Sequence, residues 1–278
     1  MQKFLLGLKR IAISFTSNFG LIWLFIQPAE LFWPDKLNHG WVGYGGLVIF
    51  SLVIAIVRNF PRRIISYTLS APNSTIEIKI GDLFKEQTHL VIGTNDVFDT
   101  QLGQIIKPSA VQGQFLRYKY NNDIARLDAD IQAALQEKGV KGKKDNSKNQ
   151  GKSWRYPIGT TITLGSPENC YFWTAYGHMS NDIKVQSNVD YIWNSLSNLW
   201  KEVRRKGNGM DVAIPIIGSD LARTNLPRMT LVQLIIISFV AASKKEFIGK
   251  KLTVIVYPQD LDTINFFELE NFLASVCF

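Results

Sequence analysis

The sequence predicts an α/β protein in two parts: an N-terminal transmembrane helical hairpin and, behind it, a three-layer α/β/α domain built on a mixed sheet. Three observations lead there. Two apolar stretches lie within the first sixty residues, strands and helices alternate through the remainder, and glycine or Asx turns follow several of the strands. The expected division places residues 1–64 in a two-helix membrane region and residues 65–278 in one domain, a length that buries a core of its own.

The first apolar stretch runs from Ile11 to Ile26 and the second from Trp41 to Val57, and neither holds a charged side chain. Each is close to the roughly 17 to 25 residues that cross a bilayer core. Between them Pro28, Pro34 and Gly40 are expected to stop the helices, and Trp33 and Trp41 suit the headgroup zone. Lys3, Lys9 and Arg10 precede the pair and Arg58, Arg62 and Arg63 follow it, whereas the short loop holds Lys36 beside Glu30 and Asp35. The basic bias predicts both termini on the cytoplasmic side of the membrane. A cleaved signal peptide is disfavoured, because Gln27-Pro28-Ala29-Glu30 is no small-residue cleavage site and a second span follows. Ser14, Thr16, Ser17 and Asn18 could face a partner helix, and Gly43, Gly45 and Gly46 would permit close helix contact.

Of 278 residues, 31 are basic and 23 acidic, a net charge of +8 that would suit nucleic acid. Part of that excess flanks the apolar spans, however, and another part is the run from Lys138 to Lys152, which has no aromatic residue and no periodicity. That run is expected to be a solvated loop, with attraction to anionic lipid or phosphate as the lesser alternative. Cys170 and Cys277 supply neither a disulfide framework nor zinc spacing, which fits a reduced compartment. His39 and His178 have no cysteine or carboxylate at ligand spacing, so no metal is expected.

The domain reads as strands at Thr75–Ile80 and His89–Thr94, a loop rich in Gly, Gln and Pro, and an amphipathic helix over 122–137 with Ile124, Leu127, Ile131 and Leu135 on one stripe. Strands follow at 159–164 and 170–175, then a helix over 189–206 whose inner face carries Ile192, Leu196, Leu199, Trp200 and Val203. A buried strand at 211–217, a helix at 228–243, a strand at 252–256 and a helix at 263–275 complete the order. Such alternation predicts a largely parallel or mixed sheet with helices on both faces.

Ligands of such sheets sit beyond the carboxyl ends of the strands. Three loops stand there. Gly81-Asp82-Leu83 follows the first strand, and an acidic side chain after a glycine turn can accept from the exocyclic amine of a base. Gly93-Thr94-Asn95-Asp96 closes the second with polar groups of a length that reaches sugar hydroxyls. Ile217-Gly218-Ser219-Asp220-Leu221-Ala222-Arg223 precedes a helix and exposes consecutive N–H groups, which suits a pyrophosphate. Each loop singly is an ordinary turn.

Together, and in this order, they resemble the macro domain, a module that binds ADP-ribose, over about residues 65–278. The resemblance implies that Asp82, with Leu83 beside it, reads the adenine amine, that Asn95, Thr94 and Asp96 approach the distal ribose, and that Gly218, Ser219, Asp220, Leu221, Ala222 and Arg223 embrace the diphosphate. The Asn-Ala-Ala-Asn sequence of macro domains is here Gly93-Thr94-Asn95-Asp96, and the triple glycine is Gln101-Leu102-Gly103-Gln104. Binding without catalysis is therefore expected. Two apolar spans ahead of such a domain are similar to the membrane branch of the Thoeris anti-phage effectors of the ThsA type. That likeness implies a messenger, histidine-ADP-ribose or a related ADP-ribose derivative, made by a TIR-domain partner. It also implies self-association on activation and membrane damage in abortive infection, with no metal or further cofactor and no nucleic acid.

Two other functions compete. A membrane-anchored ADP-ribosyl hydrolase needs a group to activate water, for which Asp96, Asp99 and His89 are the nearest candidates. A nucleic-acid-binding protein would work through Lys138 to Arg155, and would not survive loss of residues 141–152, whereas a messenger receptor is expected to tolerate it.

Overall fold

The computed structural model describes residues 2–32, 40–58, 63–219 and 224–277. It divides into two compact units, Met1–Arg62 and Arg63–Phe278. The first holds α1 (Gln2–Phe32) and α2 (Gly40–Arg58). Within them Ile11–Ala29 and Gly40–Arg58 are each long and apolar enough to cross a membrane. Phe15, Phe19 and Trp23 stack along α1, and Tyr44 of α2 sets its ring edge-on to Phe19 and Trp23. Contact between the helices does not use Gly45 or Gly46, since a Cβ on either would meet open space, while Ser51 and Ala55 are buried. The Thr16 hydroxyl bonds back to the Ala12 and Ile13 carbonyls, and Asn18 accepts from Arg58 Nη1 at 3.2 Å. One hydroxyl expected to face another helix is thus satisfied by its own backbone, as an apolar medium requires. Pro28 does not stop α1, which continues to Phe32, although a proline there leaves the Leu24 carbonyl without its i→i−4 hydrogen bond. Trp33, Pro34, Asp35, Lys36, His39 and Arg62 lie outside the described residues.

The second unit is organised by a mixed sheet. Its strands are β1 (Ile64–Thr68), β2 (Thr75–Ile80), β3 (His89–Asn95), β6 (Thr161–Ser166), β7 (Asn169–Met179), β8 (Val185–Gln186), β9 (Val212–Pro215) and β10 (Lys251–Val256), while β4 (Lys143–Lys144) and β5 (Trp154–Arg155) pair separately. The order across the sheet is β1-β2-β10-β9-β3-β7-β6, with β8 on the end of β7. From β2 to β7 all neighbours are parallel; β1, β6 and β8 are antiparallel to theirs.

Side chains of the central strands alternate between two cores, as a period of two demands. Val91, Phe172, Val212, Ile214 and Val254 enter one, against α5 (Val189–Lys206), α6 (Arg228–Ser243) and α7 (Phe266–Val276). Leu90, Ile92, Trp173, Ala213 and Ile255 enter the other, against α3 (Val111–Tyr120) and α4 (Ile124–Glu137). Both faces of the sheet are therefore covered, which is why its strands read as apolar runs. Helix starts follow local chemistry. Asp123 caps α4 by accepting from Arg126 N at 2.9 Å, and Asn188 caps α5 by accepting from Tyr191 N at 2.8 Å. The Trp200 indole donates to Ser238 Oγ at 2.9 Å, satisfying a buried N–H between α5 and α6.

Several elements differ from the sequence expectation, among them the short strands β4, β5 and β8 and the extension of β7 to Met179. β1 adds an antiparallel edge before the first expected strand. α3 forms where a loop was expected; Gly113 and four aromatic or β-branched residues make VQGQFLRYKY a weak helix former, but burial of Phe115, Leu116 and Tyr120 outweighs propensity. β9 ends at Pro215 rather than Ile217, because proline cannot donate to the ladder. A Cβ on Gly113 would lie 2.5 Å from Lys107 O and 2.8 Å from Pro108 Cα, so α3 lies against backbone with no room for a methyl. Gly113→Ala is accordingly expected to destabilise the domain by about 1–3 kcal/mol despite alanine's better helix propensity, seen as a lower midpoint in urea unfolding.

Candidate functional site

Because β2, β10, β9, β3 and β7 are parallel, their carboxyl ends share one edge. The register sets Ile80 opposite Val256 and Thr94 opposite Ala175. The turns after β2, β9 and β3 therefore stand along that edge, and β2 and β3 are three strand spacings apart, roughly 14 Å. Gly81 N donates to Val256 O at 3.0 Å, which brings the start of the Asp82 turn beside Tyr257. Asp82 is half-buried and caps a short 3₁₀ turn, accepting from Phe84 N at 3.0 Å through Oδ1. Its second oxygen has no partner among the described residues. Leu83 is 5% exposed and belongs to the core under α3.

After β9, Gly218 is buried with φ of +86°, and a Cβ there would meet Ile192 Cδ1 at 2.8 Å. Ser219 Oγ donates to Ile216 O at 3.1 Å, and Thr224 Oγ1 donates to Gly218 O at 3.0 Å. Asp220, Leu221, Ala222 and Arg223 lie outside the described residues.

The turn after β3 is buried throughout. Gly93 sits in the strand because the Tyr176 ring occupies the place of a side chain, 2.6 Å from where a Cβ would stand. Thr94 Oγ1 accepts from Gln112 Nε2 at 2.7 Å. Asn95 Oδ1 accepts from the backbone N–H groups of Val97 and Asp99, both at 3.2 Å. Asp96 takes Arg155 Nη1 at 2.8 Å and His178 Nδ1 at 2.9 Å on Oδ2, and Met179 N at 2.8 Å on Oδ1. Phe98 adopts φ of +52° with its ring fully buried, a costly conformation for an aromatic residue that the surrounding bonds hold in place. The side chains of Asn95 and Asp96 thus shape the turn from inside, and what they leave toward the edge is backbone.

None of the three groups considered as a water-activating base is open to that role. Asp99 is 1% exposed and receives Lys152 N at 2.7 Å on Oδ1, with Lys148 Nζ at 3.8 Å from Oδ2. Burial pushes its carboxyl up despite those partners. His89 stands at the opposite end of β3, buried, with Nδ1 accepting from Cys170 N at 3.1 Å; Nε2 therefore carries the proton and donates to Gly207 O at 3.0 Å. Both oxygens of Asp96 are taken.

The lysine-rich run corrects another expectation. Lys141, Lys143 and Lys144 are exposed, but Lys148 is buried and Lys152 Nζ donates to Phe98 O at 2.7 Å and Asp128 Oδ1 at 2.6 Å. Gly151 has φ of +70° and packs against the Asp99 carboxylate, where a Cβ would fall 2.5 Å from Oδ1. Arg155 continues the contact, pairing with Asp145 as well as Asp96. Loss of residues 141–152 would strip these partners from the turn after β3, so this segment is not dispensable, whatever the function. Tyr257 and Arg155 join the edge without having been singled out for it in the sequence, and His178 joins it although it was weighed there only as a metal ligand. Tyr257 was legible as the residue directly after a strand; His178 and Arg155 depend on contacts 82 and 59 residues away in the chain.

The geometry defines the class: a three-layer domain of macro type, with its loops gathered at the carboxyl edge of a mixed sheet. Among solved structures, two variants of the Oceanobacillus iheyensis macrodomain align with TM-scores of 0.52 and 0.50. Each is 15% identical, and they cover 77% and 78% of this chain and 99% and 97% of their own. Residues 76–257 match the family described as Thoeris protein ThsA, Macro domain, and the chain belongs to that family. The Thoeris protein ThsA of Bacillus amyloliquefaciens (strain Y2) is 29% identical over 239 residues, covering 81% of this chain and 77% of the relative.

Lys148→Met removes a cation from beside a buried carboxylate. It is expected to cost about 3 kcal/mol at neutral pH. Since the Asp99 pKa is already raised, the deficit should shrink as pH falls and Asp99 takes up a proton, because a neutral carboxyl needs no counter-charge. Urea unfolding of both proteins across the acid range checks the sign.

Proposed function

We propose that this chain is an anti-phage defence effector. Residues 65–278 form a receptor for an ADP-ribose-derived messenger, and residues 1–64 form a helical hairpin that spans a bacterial inner membrane with both termini cytoplasmic. The observation that carries this is the family match over residues 76–257, a stretch that includes all three edge loops. In this reading Asp82 accepts from the adenine amine through its unpartnered oxygen, with Leu83 fixing the turn behind it and the Tyr257 ring alongside. The backbone of Gly218 and Ser219, with Asp220, Leu221, Ala222 and Arg223, surrounds the diphosphate. The turn built by Thr94, Asn95 and Asp96 stands against the distal ribose and whatever it carries.

The messenger is histidine-ADP-ribose or a close relative, produced by a TIR-domain partner. Binding it shifts the chain toward a self-associated state in which the hairpins damage the membrane. For that, the messenger must bind the assembled state more tightly than the resting one, by about 10⁴-fold to move the population from 1:99 to 99:1. No chemistry on the ligand is required, and no metal or nucleic acid takes part.

A hydrolase reading has one observation in its favour. His178 is a partly exposed imidazole oriented by the buried Asp96 carboxylate at the end of β7, an arrangement in which Nε2 could take a proton from water. Calorimetry of the full chain in detergent against ADP-ribose, histidine-ADP-ribose and NAD separates the two. A receptor binds an ADP-ribose derivative without consuming it, weakens about tenfold or more in Asp82→Ala, and loses binding in Gly218→Glu. Consumption of ligand by the wild type that disappears in His178→Ala would establish the hydrolase instead, and absence of binding to all three compounds would sink both.

A further inference from the structure

The sheet ends in two edges that differ. At β6, Thr163 Oγ1 donates to Glu202 Oε1 of α5 at 2.9 Å, and Lys138, which follows α4, donates to the same carboxylate from the other helical layer. The two layers thus close around that edge, and Gly165, with φ of +89°, departs from extended backbone inside the strand. At the other end of the sheet stands β1, and among the described residues no side chain of a helix bonds to its backbone in that way.

The register of β1 on β2 fixes which of its groups face outward. Arg63 O accepts from Ile80 N at 3.1 Å and Leu69 N donates to Ser74 O at 2.8 Å, so Ile65 and Tyr67, in step with these two, are the residues bonded to β2. The opposite set agrees: Thr75, which faces Thr68, donates its N–H away from β1, to Lys250 O at 2.8 Å. The N–H and C=O groups of Ile64, Ser66 and Thr68 therefore point off the end of the sheet and have no partner among the described residues. Exposed edges are commonly blunted by a charge, a proline or a bulge. The strand Ile64-Ile65-Ser66-Tyr67-Thr68 has none of these, and its pairing with β2 is unbroken along its length. Ile64 is 48% exposed, and Ser66 and Thr68 are exposed beside it on the same face.

We propose that β1 pairs with β1 of a second copy of this chain, antiparallel and centred on Ser66. A two-fold axis at Ser66 sets it opposite its own counterpart and sets Ile64 opposite Thr68. Each of these pairs exchanges both of its backbone hydrogen bonds, so every outward group of the strand is satisfied by its symmetry mate. The side chains that meet are uncharged, which spares the axis the repulsion that identical charged residues would bring, and one Ser66 hydroxyl can donate to the other. Because the β6 edge is covered, the contact is of one kind only and closes at two copies instead of growing into a fibre. A strand this short is a small contact by the standard of stable interfaces, so the pair is a reversible one. The pairing rests on this edge alone. It needs no ADP-ribose derivative, and it gives the self-association proposed above a place on the domain.

The test is disulfide trapping of the full chain in detergent, without ligand, in Ser66→Cys and Thr68→Cys under mild oxidation. The wild type gives the background, since Cys170 and Cys277 are both buried. In the proposed pair the two Ser66 Cα atoms stand about 5.5 Å apart, within disulfide reach, whereas the two Thr68 Cα atoms are four residues out of register, roughly 14 Å apart and beyond it. Ser66→Cys is expected to give a covalent dimer in about tenfold higher yield than Thr68→Cys, with no larger species. Equal yields at the two positions, or none at either, overturn the proposal. Sedimentation velocity reads the same contact without a cross-link. Ser66→Lys sets like charges across the axis and is expected to weaken the pair about fivefold or more, while an equal mixture of Ser66→Lys and Ser66→Glu restores it. Ser66→Lys that self-associates as the wild type does overturns the proposal, and recovery in the mixture excludes a damaged fold as the cause of the loss. Register-specific dimers of a chain that binds no ADP-ribose derivative keep the edge pairing and remove the messenger reading.

Discussion

Two carboxylates buried a turn apart set the terms for the rest of this domain. Asp96 and Asp99 leave the end of β3 with 3% and 1% of their surface exposed, in a place where an unpaired charge would be untenable. Their compensation is brought from far along the chain: the Lys152 N–H, the Lys148 ammonium and the Arg155 guanidinium from the basic segment, and the Met179 N–H and His178 from the end of β7. The turn after β3 is in this way clamped between an insertion and a strand. Its strain at Phe98 is tolerable because so many partners over-determine it.

That clamp decides what the carboxyl edge can do. Asn95 and Asp96, the most chemically suggestive residues of their loop, are consumed in building it, and the N–H groups of Asp96, Val97, Phe98 and Asp99 are spent inside the protein as well. No carboxylate on this turn is left to take a proton from water. Asp82 differs, with one oxygen engaged by its own turn and one available at the edge. The hairpin carries its polar groups by another route, turning Thr16 onto its own helix backbone and Asn18 toward Arg58, which is how hydroxyls and amides persist among apolar residues.

Most of the regular structure was legible because burial leaves a period in the sequence. α5 begins at its Asn188 cap and follows its apolar stripe, α6 occupies the apolar run expected at 228–243, and Thr75–Ile80 alternates as a strand should. The failures share a cause. α3 has the composition of a loop and is a helix only because Phe115 and Leu116 find a core; the run from Lys138 to Lys152 has the composition of a solvated loop and is partly interior because Asp99 and Asp128 await it. Pro28 does not end α1, which runs on to Phe32.

The chain's own residues therefore determine the two apolar helices, the alternation of strands and helices, and the turn positions along the carboxyl edge, all of which follow from local periodicity and turn chemistry. Which side chains face that edge was decided only in the tertiary structure. Whether Asp96 or Lys152 is a surface group or an internal strut depends on partners 53, 59 and 82 residues away, and local sequence records a side chain's chemistry but not the distant charge that will neutralise it.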